Sequence, residues 1–123
     1  MAEERVYTVE EANELLPELR TRLERIRTNR QIVLRAAERI RAKVAKDGGG
    51  HEGKDYWEAS AALKADVEQL AEQNVLLRDP EAGLVDFPGE REGRGVYLCW
   101  RLGEERIGFW HEIHSGFVGR QPL

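Results

Sequence analysis

Two stretches of the chain repeat an apolar position every three or four residues, which is the spacing that one face of an α-helix produces. The first set is Ala12, Leu16, Leu19, Leu23, Ile26, Val33, Ala37, Ile40 and Val44. The second set, in which Ser60 is the one polar member, is Tyr56, Ser60, Leu63, Val67 and Leu70. Since both repeats average about 3.5 residues, they predict helices over 8–46 and 56–74 that pack together as in a coiled coil.

The first predicted helix has a defined start and one interruption. Thr8 and Glu11 form a T-x-x-E capping box, in which each side chain accepts a hydrogen bond from the backbone N–H of the other residue. Pro17 lacks the N–H that an interior helical residue donates, so we predict that the helix is kinked near this position. A helix that begins anew at Pro17 explains the sequence equally well.

A glycine-rich turn separates the two predicted helices. Four of the nine residues in 47–55 are glycine, which ends the first helix. Asp55 is the predicted N-cap of the second helix, and Asn74 is the predicted left-handed residue after its end. In an antiparallel hairpin the shorter second helix pairs with about 26–46, so the leucines of 9–25 need another partner. The C-terminal third of the chain must supply it.

The C-terminal third alternates short hydrophobic runs with turn residues, which indicates an antiparallel β-meander over 75–111. The predicted strands lie near 75–78, 84–87, 96–102 and 106–111, with turns at 79–83 and 103–105 and a polar loop at 88–95. Residues 112–123 are a predicted tail, and Val6-Tyr7 could add a short N-terminal strand. The chain is therefore predicted to be a single α+β domain over 1–123, with a long antiparallel helical hairpin packed on a small C-terminal antiparallel β-meander.

The face that each residue of the last predicted β-hairpin occupies depends on its turn. A two-residue turn at Gly103-Glu104 gathers one apolar face, formed by Val96, Leu98, Trp100, Leu102, Ile107 and Phe109. The opposite face then carries Tyr97, Cys99, Arg101 and Trp110. A three-residue turn instead places Arg101 on a face with Ile107, Phe109 and His111. We favour the two-residue turn because it gives the cleaner hydrophobic core.

Charge is strongly segregated along the chain. The formal net charge is −4 and the pI is about 5.5, yet residues 20–46 carry eight Arg, two Lys and two Glu, a net of +8. A basic block of this kind either contacts nucleic acid or pairs with acidic surfaces. No aromatic residues lie between the arginines for single-stranded nucleic acid to stack on. This and the acidic pI favour pairing with acids on the second helix or on a second subunit.

The composition also indicates in which cellular compartment the protein is expected. No hydrophobic run approaches the roughly 18 residues that span a bilayer, and Met1-Ala2-Glu3-Glu4 does not resemble the start of a signal peptide. Cys99 is the single cysteine, which excludes an internal disulfide and fits a reducing environment. We therefore expect a cytoplasmic protein that makes no membrane contact.

Motifs along nearly the whole chain match one family. They are Thr8-Val9-Glu10-Glu11-Ala12-Asn13 with Leu15-Leu16-Pro17, Gly83-Leu84-Val85-Asp86-Phe87-Pro88, Tyr97-Leu98-Cys99-Trp100-Arg101, Trp110-His111-Glu112, and Gly116-Phe117 followed by Gly119-Arg120-Gln121-Pro122. In these motifs the chain resembles the bacterial domain-of-unknown-function family 2203. The resemblance implies a stand-alone protein with a helical hairpin and a small sheet, and it implies no established activity. His114 stands where this family is expected to carry an acidic residue.

Most reactive side chains lie in the C-terminal third. The candidate ligand-binding residues are Asp86, Tyr97, Arg101, His111, Glu112 and Arg120. A charge such as that of Arg101 within an apolar strand must be paired or solvated, and Asp86 on the neighbouring predicted strand is its simplest partner. The functional alternative is an anion pocket of cationic and hydroxyl groups, namely Arg101, Arg120, His111 and Tyr97.

His111 and His114 suggest a divalent metal site with Asp86 or Glu112 as a further ligand. The helical H-E-x-x-H motif has its histidines four apart, whereas these are three apart and would point to opposite faces of a strand. They converge if the chain turns after Glu112. Otherwise His111 ends a strand and hydrogen-bonds a carboxylate, while His114 lies on the surface. Cys99 is interpreted as a small buried hydrophobic residue, since no lysine or helix N-terminus nearby would activate it.

These observations rank three functions. The leading one is a non-enzymatic scaffold or binding protein that self-associates as a homodimer through its hairpin, because four helices from two chains cover more apolar surface than two helices alone. The first alternative is an anion- or metal-binding site on the sheet around Asp86, Arg101 and His111, with at most modest enzymatic activity. The second alternative is nucleic-acid binding through the basic helix 20–46.

Overall fold

A computed structural model describes residues 5–47 and 53–123 of the chain. Two helices come first, α1 at Val9–Asp47 and α2 at Lys54–Glu72. An antiparallel sheet follows in the order β1-β2-β3-β4-β5, with strands β1 Leu76–Asp79, β2 Leu84–Arg91, β3 Arg94–Arg101, β4 Phe109–His111 and β5 Gln121–Pro122. The prediction of an α+β fold with a helical hairpin and a C-terminal antiparallel sheet is confirmed.

The start of α1 has the predicted capping box. The Thr8 N–H donates to Glu11 Oε1 at 2.8 Å, and the Glu11 N–H donates to Thr8 Oγ1 at 3.0 Å. These bonds satisfy two backbone groups that a helix start leaves unpaired, and they hold the pKa of the Glu11 carboxyl below its usual range. The helix then continues through Pro17 to Asp47, so a helix that begins anew at Pro17 is wrong, and a bend there stays a prediction.

The start of α2 differs from the prediction by two residues. The helix begins at Lys54, and the predicted N-cap, Asp55, lies inside the first turn. Its carboxylate accepts a hydrogen bond from Arg39 of α1 at 3.0 Å, so it is engaged by the neighbouring helix instead of capping its own. Most of the predicted glycine-rich turn at 47–55 lies outside the described residues.

The end of α2 agrees with the prediction. Asn74 has a left-handed backbone with φ of 57°. Its N–H donates to the carbonyl of Ala71, and the N–H of Val75 donates to the carbonyl of Leu70. This is the hydrogen-bond pattern of a Schellman motif, and the buried side chains of Val75 and Leu70 supply the hydrophobic contact that accompanies it.

Strands β2 and β3 are longer than predicted and form one continuous hairpin. The polar loop predicted at 88–95 is wrong, because β2 continues to Arg91 and β3 begins at Arg94. Between them Glu92 and Gly93 have φ of 53° and 78°, which suits a two-residue type I′ turn. Residues at this end of the hairpin are mostly polar on both faces, so the sequence shows no alternation that would predict a strand.

The C-terminal residues also belong to the sheet. The predicted tail at 112–123 contains a 3-10 turn at Phe117–Gly119 and then β5. Strand β5 pairs antiparallel with β4, with Gln121 opposite Trp110. The sheet therefore ends with a short fifth strand that the sequence pattern did not reveal.

Residues 5–8 do not form the short strand that Val6-Tyr7 suggested. Tyr7 is instead a buried connection between the helices and the sheet. Its N–H donates to the carbonyl of Pro88 at 2.7 Å, and its hydroxyl donates to the carbonyl of Gln73 at 2.6 Å. Its ring packs edge-on against Phe87, with 5.2 Å between ring centroids. One side chain thus joins the start of α1, the end of α2 and β2.

The hydrophobic core lies between the first half of α1 and one face of the sheet, which we call the inner face. From α1 it contains Ala12, Leu16, Leu19, Leu23 and Ile26. From the inner face it contains Val85, Phe87, Val96, Leu98, Trp100 and Trp110. The prediction that the C-terminal third covers the leucines of 9–25 is confirmed.

The hairpin overlap is longer than the sequence predicted. At one end Arg39 of α1 contacts Asp55 of α2 at 3.0 Å. At the other end Gln73, just after α2, donates to Glu18 of α1 at 3.2 Å. The second helix therefore reaches further toward the start of α1 than the predicted partner segment 26–46.

The buried face of α2 is also rotated relative to the face that the apolar repeat predicted. Val67, which the repeat placed in the core, is 40% exposed, and Asp66 is buried instead. The Asp66 carboxylate accepts hydrogen bonds from Arg22 at 3.2 Å and from Arg25 at 2.7 Å. A charged residue thus lies on the buried face of α2, where two arginines of the basic segment 20–46 bind it.

Candidate functional site

The register between β3 and β4 decides which side chains share a face of the sheet. Tyr97 pairs with His111, and Cys99 pairs with Phe109. This is the register that the three-residue turn would give, so the two-residue turn that we favoured is wrong. Residues 102–108 form a longer connection than either predicted turn, and Ile107 does not share a face with Arg101. The face opposite the core, which we call the outer face, therefore carries Arg78, Leu84, Asp86, Tyr97, Cys99, Phe109 and His111.

Ile107 explains why the favoured register failed. The pattern treated this residue as part of a strand, next to Phe109 on one apolar face. In the structure Ile107 is buried in the core, and its N–H donates to Asn13 Oδ1 of α1 at 2.8 Å. Because this segment pairs with the helix instead of with β3, β4 begins only at Phe109 and is offset by one residue. Trp110 then lies on the inner face, opposite Leu98.

Asp86 and His111 meet at the centre of the outer face. Asp86 is 2% exposed and His111 1% exposed, and His111 Nε2 lies 3.0 Å from Asp86 Oδ1. The other carboxylate oxygen, Oδ2, accepts from Arg78 Nε at 2.8 Å. The other ring nitrogen, Nδ1, lies 2.8 Å from the backbone carbonyl oxygen of Glu112. Since a carbonyl oxygen only accepts, Nδ1 carries the proton of that bond.

Cys99 lies beside this pair. It is directly opposite Asp86 in the register of β2 and β3, and it is fully buried. The Cys99 sulfur, a carboxylate oxygen of Asp86 and a ring nitrogen of His111 all lie within 4.8 Å of one another. Burial, and secondarily the negative charge of Asp86, raise the pKa of the Cys99 thiol to about 12. The thiol is therefore protonated at neutral pH and is a poor nucleophile.

Arg78 and Tyr97 complete the cluster. The Arg78 guanidinium lies 5.0 Å from the centre of the Tyr97 ring, and that ring lies 5.6 Å from the ring of His111. The hydrogen bond to Asp86 raises the pKa of Arg78 above its usual range. Cation, carboxylate, imidazole and phenol therefore form one continuous polar contact across four adjacent strands, β1 to β4.

A cavity opens over this cluster. It encloses about 360 Å³, and its lining includes Arg78, Asp86, His111, His114, Ser115 and Phe117. The segment after β4 forms its far wall, so the chain does turn after Glu112, as a meeting of the two histidines requires. His114 reaches the cavity but is exposed, whereas His111 is buried.

Three of the candidate ligand-binding residues direct their side chains to partners other than Asp86 and His111. Arg101 is exposed and lies over the Phe117 ring at 5.7 Å, so the predicted pairing of Arg101 with Asp86 is wrong. Arg120 pairs with Glu104.

The third of these residues is Glu112, whose carboxylate pairs with Arg94 at 2.6 Å. This pairing lowers the pKa of the Glu112 carboxyl, and only its backbone carbonyl reaches His111. The structure thus brings together Asp86, Tyr97 and His111, whereas the guanidinium groups of Arg101 and Arg120 lie over the Phe117 ring at the wall of the cavity, 5.7 Å and 4.7 Å from its centre.

Arg78 and Cys99 are the cluster residues that sequence reasoning missed. Asp86 lies in an apolar strand, so its carboxylate was expected to pair with a cation. Each of the two predicted strands that flank it carries one arginine. Arg78 precedes Asp86 along the chain and Arg101 follows it, and nothing in the residue pattern distinguishes the two. Cys99 was correctly expected to be buried, but its position opposite Asp86 depends on a register that the predicted loop at 88–95 concealed.

The basic segment 20–46 is largely paired within the chain. Besides the two arginines on Asp66, Arg30 contacts Glu81 at 3.0 Å and Arg39 contacts Asp55. Arg20 and Arg27 donate to the backbone carbonyls of Glu105 and Glu81. The pairing that the charge pattern favoured is present, and it leaves fewer arginines for the phosphates of a nucleic acid.

Comparison with known proteins gives a family but no activity. In the described part of the chain, neither helix combines the length and the apolar character needed to cross a membrane. No curated protein and no solved structure matches the sequence. One family model, described as "Uncharacterized conserved protein (DUF2203)", matches residues 5–123. The chain belongs to the DUF2203 family.

Proposed function

We propose that the protein is a non-enzymatic binding or scaffold protein that self-associates as a homodimer through its distal hairpin. By the distal hairpin we mean residues 31–43 of α1 and 53–63 of α2, the part of the hairpin furthest from the sheet. The carrying observation is an exposed apolar surface on both helices: Leu34 is 52% exposed and Trp57 is 68% exposed. A single exposed hydrophobic residue is ordinary, whereas a contiguous exposed apolar patch marks an interaction site.

A groove between the two helices extends this surface. It encloses about 520 Å³, and its lining includes Ala37, Ile40, Tyr56 and Trp57. Leu34 lies one helical turn before Ala37, on the same side of α1. The groove therefore has an apolar floor and an aromatic rim, which suits the insertion of hydrophobic side chains from another helix.

Charge supports a second copy of the chain as the occupant. The distal part of α1 carries Arg35 and Arg41 in addition to Arg39, which binds Asp55 within the chain, while the start of α2 also carries Glu58. In a two-fold arrangement α1 of one subunit lies against α2 of the other, so unlike charges meet on both sides. The result is a four-helix arrangement in which the half-covered stripe of each hairpin is buried.

Size-exclusion chromatography with light scattering tests this proposal. We expect a dimer at tens of micromolar, and we expect Leu34→Glu and Trp57→Glu each to give a monomer because a charge would be buried in the contact. Val118→Glu is the matched control, since Val118 is 97% exposed and lies outside the hairpin. A wild-type protein that is monomeric at this concentration, or a dimer that survives both hairpin variants, would refute the proposal.

Two features support a binding role in a reducing compartment. The single thiol, Cys99, is buried and protonated, so it does not provide the thiolate that nucleophilic catalysis needs. A lone reduced cysteine also fits the cytoplasm, where we place the protein.

A second candidate function is the binding of a small anion in the outer-face cavity. The observation that favours it is Arg78, which lines the cavity and keeps 44% of its side chain exposed. Inorganic phosphate, added at constant ionic strength, should then raise the melting temperature of the wild type but not of Arg78→Gln. Arg106→Gln is the control, since Arg106 is an exposed arginine outside the lining of this cavity. An unchanged melting temperature in the wild type would eliminate this candidate.

A further inference from the structure

Three adjacent strands of the sheet each place one metal-binding atom at the same buried point. We propose that Asp86, Cys99 and His111 form a binding site for a transition-metal dication of the zinc class, beneath the outer-face cavity. The ligand atoms are Asp86 Oδ1, Cys99 Sγ and His111 Nε2. The site differs from the histidine pair that the sequence suggested, because Cys99 replaces His114 as a protein ligand.

The spacing of the three atoms fits a small metal ion. The Cys99 sulfur, a carboxylate oxygen of Asp86 and a ring nitrogen of His111 lie within 4.8 Å of one another, and the Oδ1 to Nε2 distance is 3.0 Å. Ligands of tetrahedral zinc are roughly 3–4 Å apart, as bonds of about 2.0–2.3 Å require. Asp86 and Cys99 are directly opposite each other on β2 and β3, and His111 is on β4, so paired strands hold all three. Ligands on strands keep their positions better than ligands on loops.

The remaining polar atoms of the ligands are already bound to neighbouring groups. Asp86 Oδ2 accepts from Arg78 Nε at 2.8 Å, and His111 Nδ1 donates to the Glu112 carbonyl at 2.8 Å. In metal sites a ligating histidine donates its second N–H to a carbonyl or carboxylate, and a ligating carboxylate is hydrogen-bonded in turn. Oδ1 and Nε2 face each other at 3.0 Å across a hydrogen bond, and a metal ion would take the place of the proton in that bond.

The ligand set selects the class of metal. Thiolate and imidazole prefer borderline metals such as Zn²⁺ and Co²⁺, whereas Mg²⁺ and Ca²⁺ take oxygen ligands. A carboxylate and a thiolate together balance the charge of a dication, so the occupied site is neutral apart from Arg78. Binding replaces the S–H bond of Cys99 by a sulfur–metal bond and displaces the proton between Asp86 Oδ1 and His111 Nε2, and both protons pass to the solvent. Three protein ligands leave one position open toward the cavity, where water completes the tetrahedron.

Cobalt titration of the purified protein tests the site. Because Cys99 is the single cysteine, a sulfur-to-cobalt charge-transfer band in the near ultraviolet can arise only at this residue. We expect the band to saturate at about one Co²⁺ per chain, to bleach when Zn²⁺ is added, and to be absent from Cys99→Ser. Asp86→Asn should weaken Co²⁺ binding by at least 10–100-fold, the loss found on removing even an outer-shell partner of a metal ligand.

Glu90→Gln is the matched control for Asp86→Asn. Glu90 is on the same strand and the same face but is exposed, so this variant should bind Co²⁺ as the wild type does. The proposal is overturned if the wild type gives no charge-transfer band and retains no zinc after dialysis, a result that does not depend on any variant folding. It is also overturned if folded Asp86→Asn and His111→Gln bind Co²⁺ as tightly as Glu90→Gln does. The test measures metal alone, so neither a monomeric protein nor a cavity without an anion would affect it.

Discussion

The two halves of α1 carry the same apolar repeat but have different surroundings. In the first half Leu16, Leu19 and Leu23 are at most 2% exposed, because the inner face of the sheet covers them. In the second half Ala37 and Ile40 remain half-buried, because within residues 5–47 and 53–123 it is α2 alone that lies against them, and Leu34 beside them is 52% exposed. A heptad pattern therefore predicts that a helix has an apolar face. It does not predict which element packs on that face or how fully the face is buried.

The largest loss of stability is expected when a buried side chain is removed from the first half of α1. Leu23→Ala should lower the free energy of unfolding by about 2–5 kcal/mol, because it leaves a cavity between α1 and the inner face. Chemical denaturation followed by circular dichroism measures the change. A loss below about 1 kcal/mol would show that the sheet does not pack on α1 as described.

The next largest effect is expected where the two helices meet. Asp66→Asn should lower the free energy of unfolding by about 1–3 kcal/mol, because Arg22 and Arg25 lose the charged acceptor that binds both. Denaturation at neutral pH measures it. Glu68→Gln, at an exposed position of the same helix, should have little effect, and equal losses in the two variants would contradict the structure.

Asp66 also gives this contact a defined pH dependence. Its pKa is held below the usual range, chiefly by the hydrogen bond from Arg25 and further by Arg22. A group whose pKa is lowered on folding stabilises the protein above its ordinary value of about 4, and the contribution is lost as pH falls through the folded value. Between roughly pH 5 and pH 2 the wild type should therefore lose more stability than Asp66→Asn. Parallel curves for the two proteins would contradict this assignment.

A smaller effect is expected at the capping box. Thr8→Ala should cost about 1 kcal/mol, because the Glu11 N–H loses its acceptor at the start of the helix. Thermal unfolding compares this variant with Thr21→Ala, a matched threonine in the exposed middle of α1. If Thr21→Ala costs as much as Thr8→Ala, the capping box contributes nothing specific.

The smallest effect is expected in the second half of α1. Leu34→Ala should change the free energy of unfolding of the monomer by no more than about 0.5 kcal/mol, since much of its side chain already contacts solvent. The measurement belongs at low protein concentration, where association does not contribute. A cost as large as that of Leu23→Ala would show that the two halves are equally covered and would remove the basis of the comparison.

Local patterns predicted most of the fold. The helices follow from periodicity and from Thr8, Glu11 and Asn74, whose roles depend on backbone neighbours a few residues away. The hairpin of β2 and β3 did not follow, because its end is polar on both faces and its turn, Glu92-Gly93, lacks the asparagine or aspartate that usually marks it. Strand β5 is too short to show alternation.

The candidate site was only partly predictable, because it depends on long-range register. Asp86 and His111 were selected for their chemistry, and the structure places them in contact. The partner of Asp86 was misassigned, since Arg78 and Arg101 are equivalent by every local criterion. The favoured turn failed because the N–H of Ile107 binds Asn13, a contact across 94 residues of sequence that no local pattern encodes.

Tyr7 has a consequence for the order in which the chain becomes structured. Three of its partners, Gln73, Phe87 and Pro88, emerge from the ribosome more than 60 residues after it. The leucines at the start of α1 wait equally long for the inner face. During synthesis the first helix must therefore present an uncovered apolar stripe until β2 and β3 have been made. Contacts so distant in sequence carry a large loop-closure cost before they contribute stability, so we expect the first helix to acquire its native environment late, together with the sheet.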